Sequence, residues 1–211
     1  MIKTENEPQL IKHGLKHFPQ LHKWNKEYIK NEFGDISCNF SFDARPVRSK
    51  NTTTYDNYIK TLSDQSYSFT RVHYNHQTDK IIDDIDFPNP FFSKKEIDKY
   101  IFFCGPSHSG ALQHSHGPAL NLMVSGKKKW ILFDSTTEYG ARLQAYYYNK
   151  YPSNTQWIDW FTKEYKQLKE NSHVKIYEFI QEPGDIVFIP DKYNHSVFNM
   201  KDTIGIVIEL L

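Results

Sequence analysis

Apolar and polar positions repeat in two different rhythms along the chain, one before Tyr100 and another after it. In residues 18–33 (FPQLHKWNKEYIKNEF), Leu21, Trp24 and Tyr28 recur at helical spacing, Pro19 suits a first turn and Gly34 a stop. That spacing predicts one amphipathic helix. Residues 36–42 alternate as a strand does. Residues 53–62 predict a second helix, capped by Thr, with Tyr55, Tyr58, Ile59 and Leu62 on one face. Residues 67–74 predict another strand. The stretch from Asp83 to Phe92, acidic and then carrying Pro88 and Pro90, predicts a loop.

From Tyr100 onward, short β-rich runs follow one another: YIFFC, ALQHSH, ALNLMVSG and KKWILFD, then VKIYEFIQ, EPGDIVFIP, NHSVFNM and TIGIVIELL. Many short strands at close spacing predict a sandwich or barrel. Residues 135–172 interrupt them as an insert, whose second half sets Trp157, Trp160, Phe161, Tyr165 and Leu168 at helical spacing. No repeat and no linker divides the chain. The expectation is one structural domain, with residues 1–99 as helices and strands packed on a barrel. Residues 100–211 form the barrel core and carry the insert.

A chain of 211 residues suits one domain. Lys plus Arg is 26 and Asp plus Glu is 25, a formal net charge of +1. Such a balance argues against a protein that works by general attraction to nucleic acid or acidic lipid. Only 38% of residues are hydrophobic but 16% are aromatic, which excludes disorder and leans toward sheet. Cys38 and Cys104 are too few for a disulfide framework or a Cys-rich zinc site. There is no run of about 18 apolar residues to span a membrane, and residues 1–21 show no apolar signal core. The expected location is intracellular, cytoplasmic or nuclear.

Chemistry centres on His114-Ser115-His116. On a strand, residues i and i+2 share a face, so both imidazoles can meet one metal. The best third ligand is His195: a turn at Glu182–Asp185, an apolar strand and a second turn return it across a small barrel. Without their flanking runs, the first two read more readily as surface histidines, and a satisfied turn histidine is the alternative for the third. Alternation puts Lys128 on the face of Trp130 and Leu132, opposite Lys129 and Ile131. That favours an inward Lys128, against the alternative of a solvated charge run over Lys127 to Lys129. The aromatic positions of the insert read as packing.

The run PGDIVFIPDKYNHSVFNM resembles the second motif of the cupin superfamily, and GPSHSGALQHSHGPALNLMVSGKKKWILF resembles the core of JmjC-domain oxygenases, in particular the small, cupin-like JmjC-only members. The likeness covers about residues 83–134 and 174–209. It implies a mainly β fold with flanking helices, a double-stranded β-helix or jelly-roll, that binds Fe(II) and 2-oxoglutarate. It implies His114 and His195 as metal ligands, Lys128 as the anchor of the cosubstrate and Asn121 as a polar residue of its pocket, although a buried structural amide explains Asn121 as well. It also implies hydroxylation of a protein side chain with O2, and, as in many such relatives, a homodimer.

Two positions depart from the family pattern. His116 stands where the family has Asp, and Ala111 where many members carry a hydroxyl. Replacing the carboxylate keeps three ligands but raises the charge of a loaded site from +1 to +2, and three imidazoles also suit Zn(II), Ni(II) or Cu(II). Two alternatives follow. One is a catalytically impaired pseudo-oxygenase that keeps the fold as a binding module. The other is a three-His cupin that works without 2-oxoglutarate, which gives an inward Lys128 no obvious task.

Overall fold

Two long strands organise the protein. The computed structural model describes residues 6–41, 51–61, 66–72, 78–85, 96–150, 160–171 and 173–211. Ten strands run through it: β1 Gln9–Ile11, β2 Ser37–Ser41, β3 Asn51–Thr54, β4 Tyr67–Val72, β5 Ile97–Gly105, β6 Gly110–His114, β7 Ala119–Asp134, β8 Ile176–Gln181, β9 Ile186–Ile189 and β10 Tyr193–Leu210. The helices are α1 Lys26–Glu32, α2 Tyr55–Lys60, α3 Asp79–Ile85, α4 Glu138–Lys150 and α5 Tyr165–Asn171. β7 and β10 pair antiparallel from Tyr193↔Asp134 to Glu209↔Ala119. Halfway along, each exchanges its other neighbour. The first half of β7 pairs with β9 and its second half with β8. The first half of β10 pairs with β6 and its second half with β5.

This exchange makes two layers. The larger runs β1-β9-β7-β10-β5-β4-β2-β3, and β8 and β6 flank the other halves of β7 and β10. The register slips between Asn199 and Ile204, opposite Gly126. Gly126 holds φ at 103°, and a Cβ there would lie 2.2 Å from the carbonyl oxygen of Asp202. Only glycine reaches that backbone conformation without strain. ALNLMVSG and KKWILFD are therefore one strand, as are NHSVFNM and TIGIVIELL. Four expected short strands correct to two long ones, because a glycine turn within a run bends a strand without ending its pairing.

Alternation assigns each face. Ile101, Phe103, Ala119, Met123, Trp130, Leu132, Val197 and Val207 pack between the two layers. Phe102, Leu120, Leu122, Val124, Ile204, Ile206 and Ile208 point the other way. There the N-terminal elements cover them with Phe18, Trp24, Ile29, Phe33, Tyr55 and Tyr58. A sheet buried on both faces explains unbroken apolar runs such as ALNLMV. Trp24, Phe33 and Tyr55 set their rings edge-on to Phe102, at 5.2, 6.0 and 5.3 Å between centroids. Edge-to-face packing is the favoured aromatic geometry, and it fills this layer with few aliphatic residues. On the far side, Tyr147, Trp160, Tyr165 and Leu168 of the insert pack on Leu112 and Ile131.

Several local expectations need correction. Residues 18–33 form a 3-10 turn, Pro19–His22, and a separate helix α1. The Asn25 side chain ends the continuity by accepting a hydrogen bond from the Tyr28 N–H at 2.9 Å, which caps α1. The cap on α2 is Thr54. The loop expected from Asp83 begins inside α3, whose Ile81, Ile82 and Ile85 are buried. Acidic side chains on the outer face of a short helix mimic a loop when read linearly. Residues 86–95, Leu62 and Trp157 lie outside the described residues. No helix among the described residues is long and apolar enough to cross a membrane.

Candidate metal centre

β6 delivers the first histidine. Strict alternation from the inward Ala111 would turn His114 outward. The register, however, pairs His195 with His114 and Val197 with Ala111, so Leu112 and Gln113 together oppose Ser196 alone. This bulge sends Leu112 to the insert side, lets the Gln113 amide donate to the Ser196 hydroxyl at 3.3 Å, and returns His114 to the interior beside His195. Bulges commonly re-aim a side chain in this way. β6 ends at His114, so His116 projects from the following loop. The strand argument for the His-x-His pair is thus corrected: a loop, not strand alternation, brings His116 to its neighbours.

The three imidazoles converge. One ligand atom from each of His114, His116 and His195 lies within 4.8 Å of the other two. Ring centroids are 4.2 Å apart for His114 and His195, 4.7 Å for His116 and His195 and 5.7 Å for His114 and His116. Each Nδ1 faces a backbone carbonyl: His114 that of Leu112 at 2.6 Å, His116 that of Gly117 at 2.7 Å and His195 that of Tyr193 at 3.0 Å. A carbonyl only accepts, so each Nδ1 carries a proton and Nε2 is the ring atom left to face a metal, an arrangement that orients imidazoles. Burial, with His114 and His116 alongside, holds His195 well below the ordinary imidazole value. It is neutral, as a ligand must be.

A cavity of about 60 Å³ opens on this cluster and is lined also by Tyr67, Asn121, Lys128 and Trp130. Of the lysine run, Lys127 pairs with Glu182 at 2.9 Å and Lys129 with Glu178 at 3.5 Å. Lys128 turns inward and is fully buried. Its Nζ sits 3.4 Å from the centre of the Phe103 ring and makes no hydrogen bond. Burial alone pushes its amine well below the usual lysine value. A buried amine without a partner is costly, and its cavity is shaped by polar atoms that share its condition. Asn121 Oδ1 is buried and unpaired. The Tyr67 hydroxyl, beside Asn199, makes no hydrogen bond of ordinary geometry.

Tyr67 is the residue that linear reading missed. Ala111 leaves its part of the wall without a hydroxyl, and Tyr67 brings one from a neighbouring sheet position. β4 pairs with β5 through Ser68↔Cys104 and Phe69↔Phe103. Gly105 makes room, since a Cβ there would lie 2.4 Å from the Tyr67 ring. The sequence signal was only a tyrosine at the head of a strand. A larger groove, about 660 Å³, lies at the strand bend beside Gly126 and Asp202, and among the described residues it gathers no ligand cluster. Both cysteines are buried, with thiols pushed up to about 12 by desolvation, so neither is a ready nucleophile.

Comparison with known proteins agrees with this architecture. A profile described as a cupin-like domain matches residues 2–209. The chain is 26% identical over 207 residues to the Mus musculus protein named 2-oxoglutarate and iron-dependent oxygenase JMJD4, covering 85% of this chain and 48% of that one. It is 24% identical over 216 residues to the Arabidopsis thaliana arginine-specific demethylase JMJ22, covering 95% and 41%. It is 26% identical over 204 residues to the Caenorhabditis elegans bifunctional arginine demethylase and lysyl-hydroxylase psr-1, covering 87% and 50%. The chain therefore spans half or less of the length of these relatives. The crystal structure of Escherichia coli ycfD superposes with a TM-score of 0.61 at 10% identity, over all of this chain and 51% of that one, a likeness of fold.

Proposed function

This chain belongs to the family of cupin-like domains, and from that membership we propose that it is a JmjC-type, Fe(II)- and 2-oxoglutarate-dependent oxygenase that hydroxylates a protein side chain. One observation carries the reading: three imidazoles converge at one end of a cavity that also holds a buried lysine with no hydrogen-bond partner among the described residues. His114, His116 and His195 would hold the metal through Nε2. Lys128 would take a cosubstrate carboxylate as an ion pair, and the Tyr67 hydroxyl would donate to the same group. Asn121 lines the approach. Lys128 and the Tyr67 hydroxyl fit the dianion because they offer a positive charge and a hydrogen, and among the described residues neither finds another hydrogen-bond partner.

When bound, the metal would supply activation of O2 with 2-oxoglutarate as the two-electron reductant, one oxygen atom passing into the succinate that forms with CO2 and the other into a C–H bond. The chain's own part is to bind and orient. Three carbonyl-anchored imidazoles fix the donor directions. Trp130, whose ring lies 6.0 Å from His195 and 5.9 Å from Lys128 Nζ, forms an apolar wall along the cavity and excludes water. Burial disfavours the charged form of Lys128, and a carboxylate arriving in the cavity would favour the proton at Nζ. No nucleophile or general base is required. A protein substrate is supported by relatives named for demethylating arginine and hydroxylating lysine.

The test is succinate release from 2-oxoglutarate by the Fe(II)-loaded protein under air. Turnover in the wild type that disappears in Lys128→Met and His195→Ala is the expected result. No succinate above a protein-free control, from either the wild type or His116→Asp, overturns the proposal. A second reading, an impaired binding module, is favoured by Ala111 and His116, and turnover in His116→Asp alone would select it.

A further inference from the structure

One face of β4 runs from the Lys128 end of the cavity to its mouth. Tyr67, Phe69 and Arg71 alternate onto that face, and all three line the cavity. Tyr67 lies beside Lys128, its ring centre 5.6 Å from Nζ. Phe69 stacks on Phe103 at 6.2 Å and 19°. Arg71 stands opposite Ile101 in the sheet and is exposed. Four residue steps of strand put its Cα about 13 Å from that of Tyr67, further than a five-carbon dicarboxylate held at Lys128 extends. Glu209 also lines this wall, and it is already joined to Lys99 at 2.5 Å. Arg71 makes no ion pair and no hydrogen bond among the described residues. The mouth therefore presents an uncommitted guanidinium and, among the described residues, no uncommitted carboxylate.

From this arrangement we infer that Arg71 selects the substrate: the protein segment taken at the mouth carries Asp or Glu beside the residue that reaches the metal. This rests on the reading of the chain as a protein hydroxylase, and it adds the chemistry of the segment. A planar guanidinium receives a carboxylate through two parallel N–H donors, so Arg71 fixes the direction in which a segment crosses the mouth as well as holding it. A Lys or Arg in the same place would meet Arg71 and a divalent ion, with no free carboxylate of the described wall to receive it. Like charges opposed in this way turn a partner away. Two of the relatives are named for acting on arginine or lysine, whereas the free charge at this mouth calls for the opposite sign.

The test uses the chain loaded with Mn(II) and 2-oxoglutarate and three fluorescein-labelled nonapeptide pools. The pools are one random mixture except at the two positions flanking the centre, which are fixed as Glu, Gln or Lys. Fluorescence anisotropy should show the Glu pool binding at least about threefold more tightly than the Gln pool, the factor of an exposed ion pair, and the Lys pool more weakly than both. Arg71→Glu should reverse the order of the Glu and Lys pools. Its 2-oxoglutarate affinity, read by calorimetry, should stay within about twofold of the wild type, since the two contacts are separate. N-Acetylglutamate, which offers a carboxylate without a segment, should not displace the Glu pool at equal concentration. A smaller preference in the wild type, or no binding of the Glu pool, overturns the inference even if the variant fails to fold. So does an unchanged order in folded Arg71→Glu. A larger loss of 2-oxoglutarate affinity in that variant would give Arg71 to the cosubstrate, and displacement by N-acetylglutamate would give the mouth to a small acid; either overturns it. In all these cases the cosubstrate reading stands as long as the Mn(II)-loaded wild type binds 2-oxoglutarate. If it binds none, that reading falls and the inference with it.

Discussion

At Lys128 the needs of folding and of binding oppose each other. Its amine is fully buried over Phe103 with no partner, so replacing it by an apolar side chain of similar length removes a desolvation penalty. Lys128→Met should raise unfolding stability by about 1–3 kcal/mol in denaturant titrations. The same variant should lose metal-dependent 2-oxoglutarate binding by at least about tenfold, the loss of one charge-assisted contact. A pH profile separates Lys128 from other causes. Its folded-state value lies well below that of the unfolded chain, so between the two values the unfolded state binds more protons. Stability of the ligand-free protein should therefore rise with pH as pH approaches the ordinary lysine value from below, by at most about 1.4 kcal/mol per unit. Lys128→Met should flatten that slope, and an unchanged slope would show that Lys128 is not its source. His114, His195 and Lys128 were legible in the sequence because motif and alternation mark them. Tyr67 was not: it is one of 14 tyrosines, and only sheet register carries it to the cavity.

Among the elements, β7 and β10 set the geometry, and their shared bend depends on Gly126. Gly126→Ala forces a Cβ into a left-handed backbone conformation against the Asp202 carbonyl. The expected cost is about 1–3 kcal/mol or more, read as a lowered denaturation midpoint. Gln181 is the second joint. Its side chain accepts from Trp130 Nε1 at 2.8 Å and donates to the carbonyls of Asn121 at 2.8 Å and Asp185 at 3.2 Å. It thereby ties β8, both halves of β7 and the turn before β9. Gln181→Leu leaves the buried Trp130 Nε1 without its acceptor and takes a donor from two carbonyls, of which that of Asp185 still accepts from the Met123 N–H; it should destabilise by about 1–3 kcal/mol, with altered fluorescence from Trp130. Element types were readable wherever apolar spacing was clear, as for β5, β9 and α2. Their ends were not. The break in residues 18–33 comes from a cap, the joining of four runs into two strands from pairing across a glycine, and the bulge in β6 from its partner.

For the whole molecule, the N-terminal layer is as necessary as the barrel. Trp24 is buried against Phe102, and its Nε1 donates to Asp84 at 2.9 Å, which also accepts from Lys23 and Tyr28. It thus joins the first helices, α3 and β5. Trp24→Ala should cost about 3–5 kcal/mol of global stability, while Mn(II) affinity of the folded fraction stays within about twofold, since no contact of Trp24 reaches the cavity and separate sites add independently. Three layers around two shared strands follow from composition only in outline: many rings and few small aliphatics call for wide, aromatic-filled interfaces. By itself the sequence determined a β-rich sandwich or barrel, the candidate metal trio and the face of Lys128, because periodicity and motif spacing are local and survive linear reading, and its family resemblance narrowed the class to a jelly-roll. Tertiary structure alone decided that His116 enters from a loop, that a bulge returns His114 to the interior, that Tyr67 faces Lys128 and that Glu209 is already paired. Each of these depends on strand register and on which charge meets which, and those are fixed only when distant segments share one core.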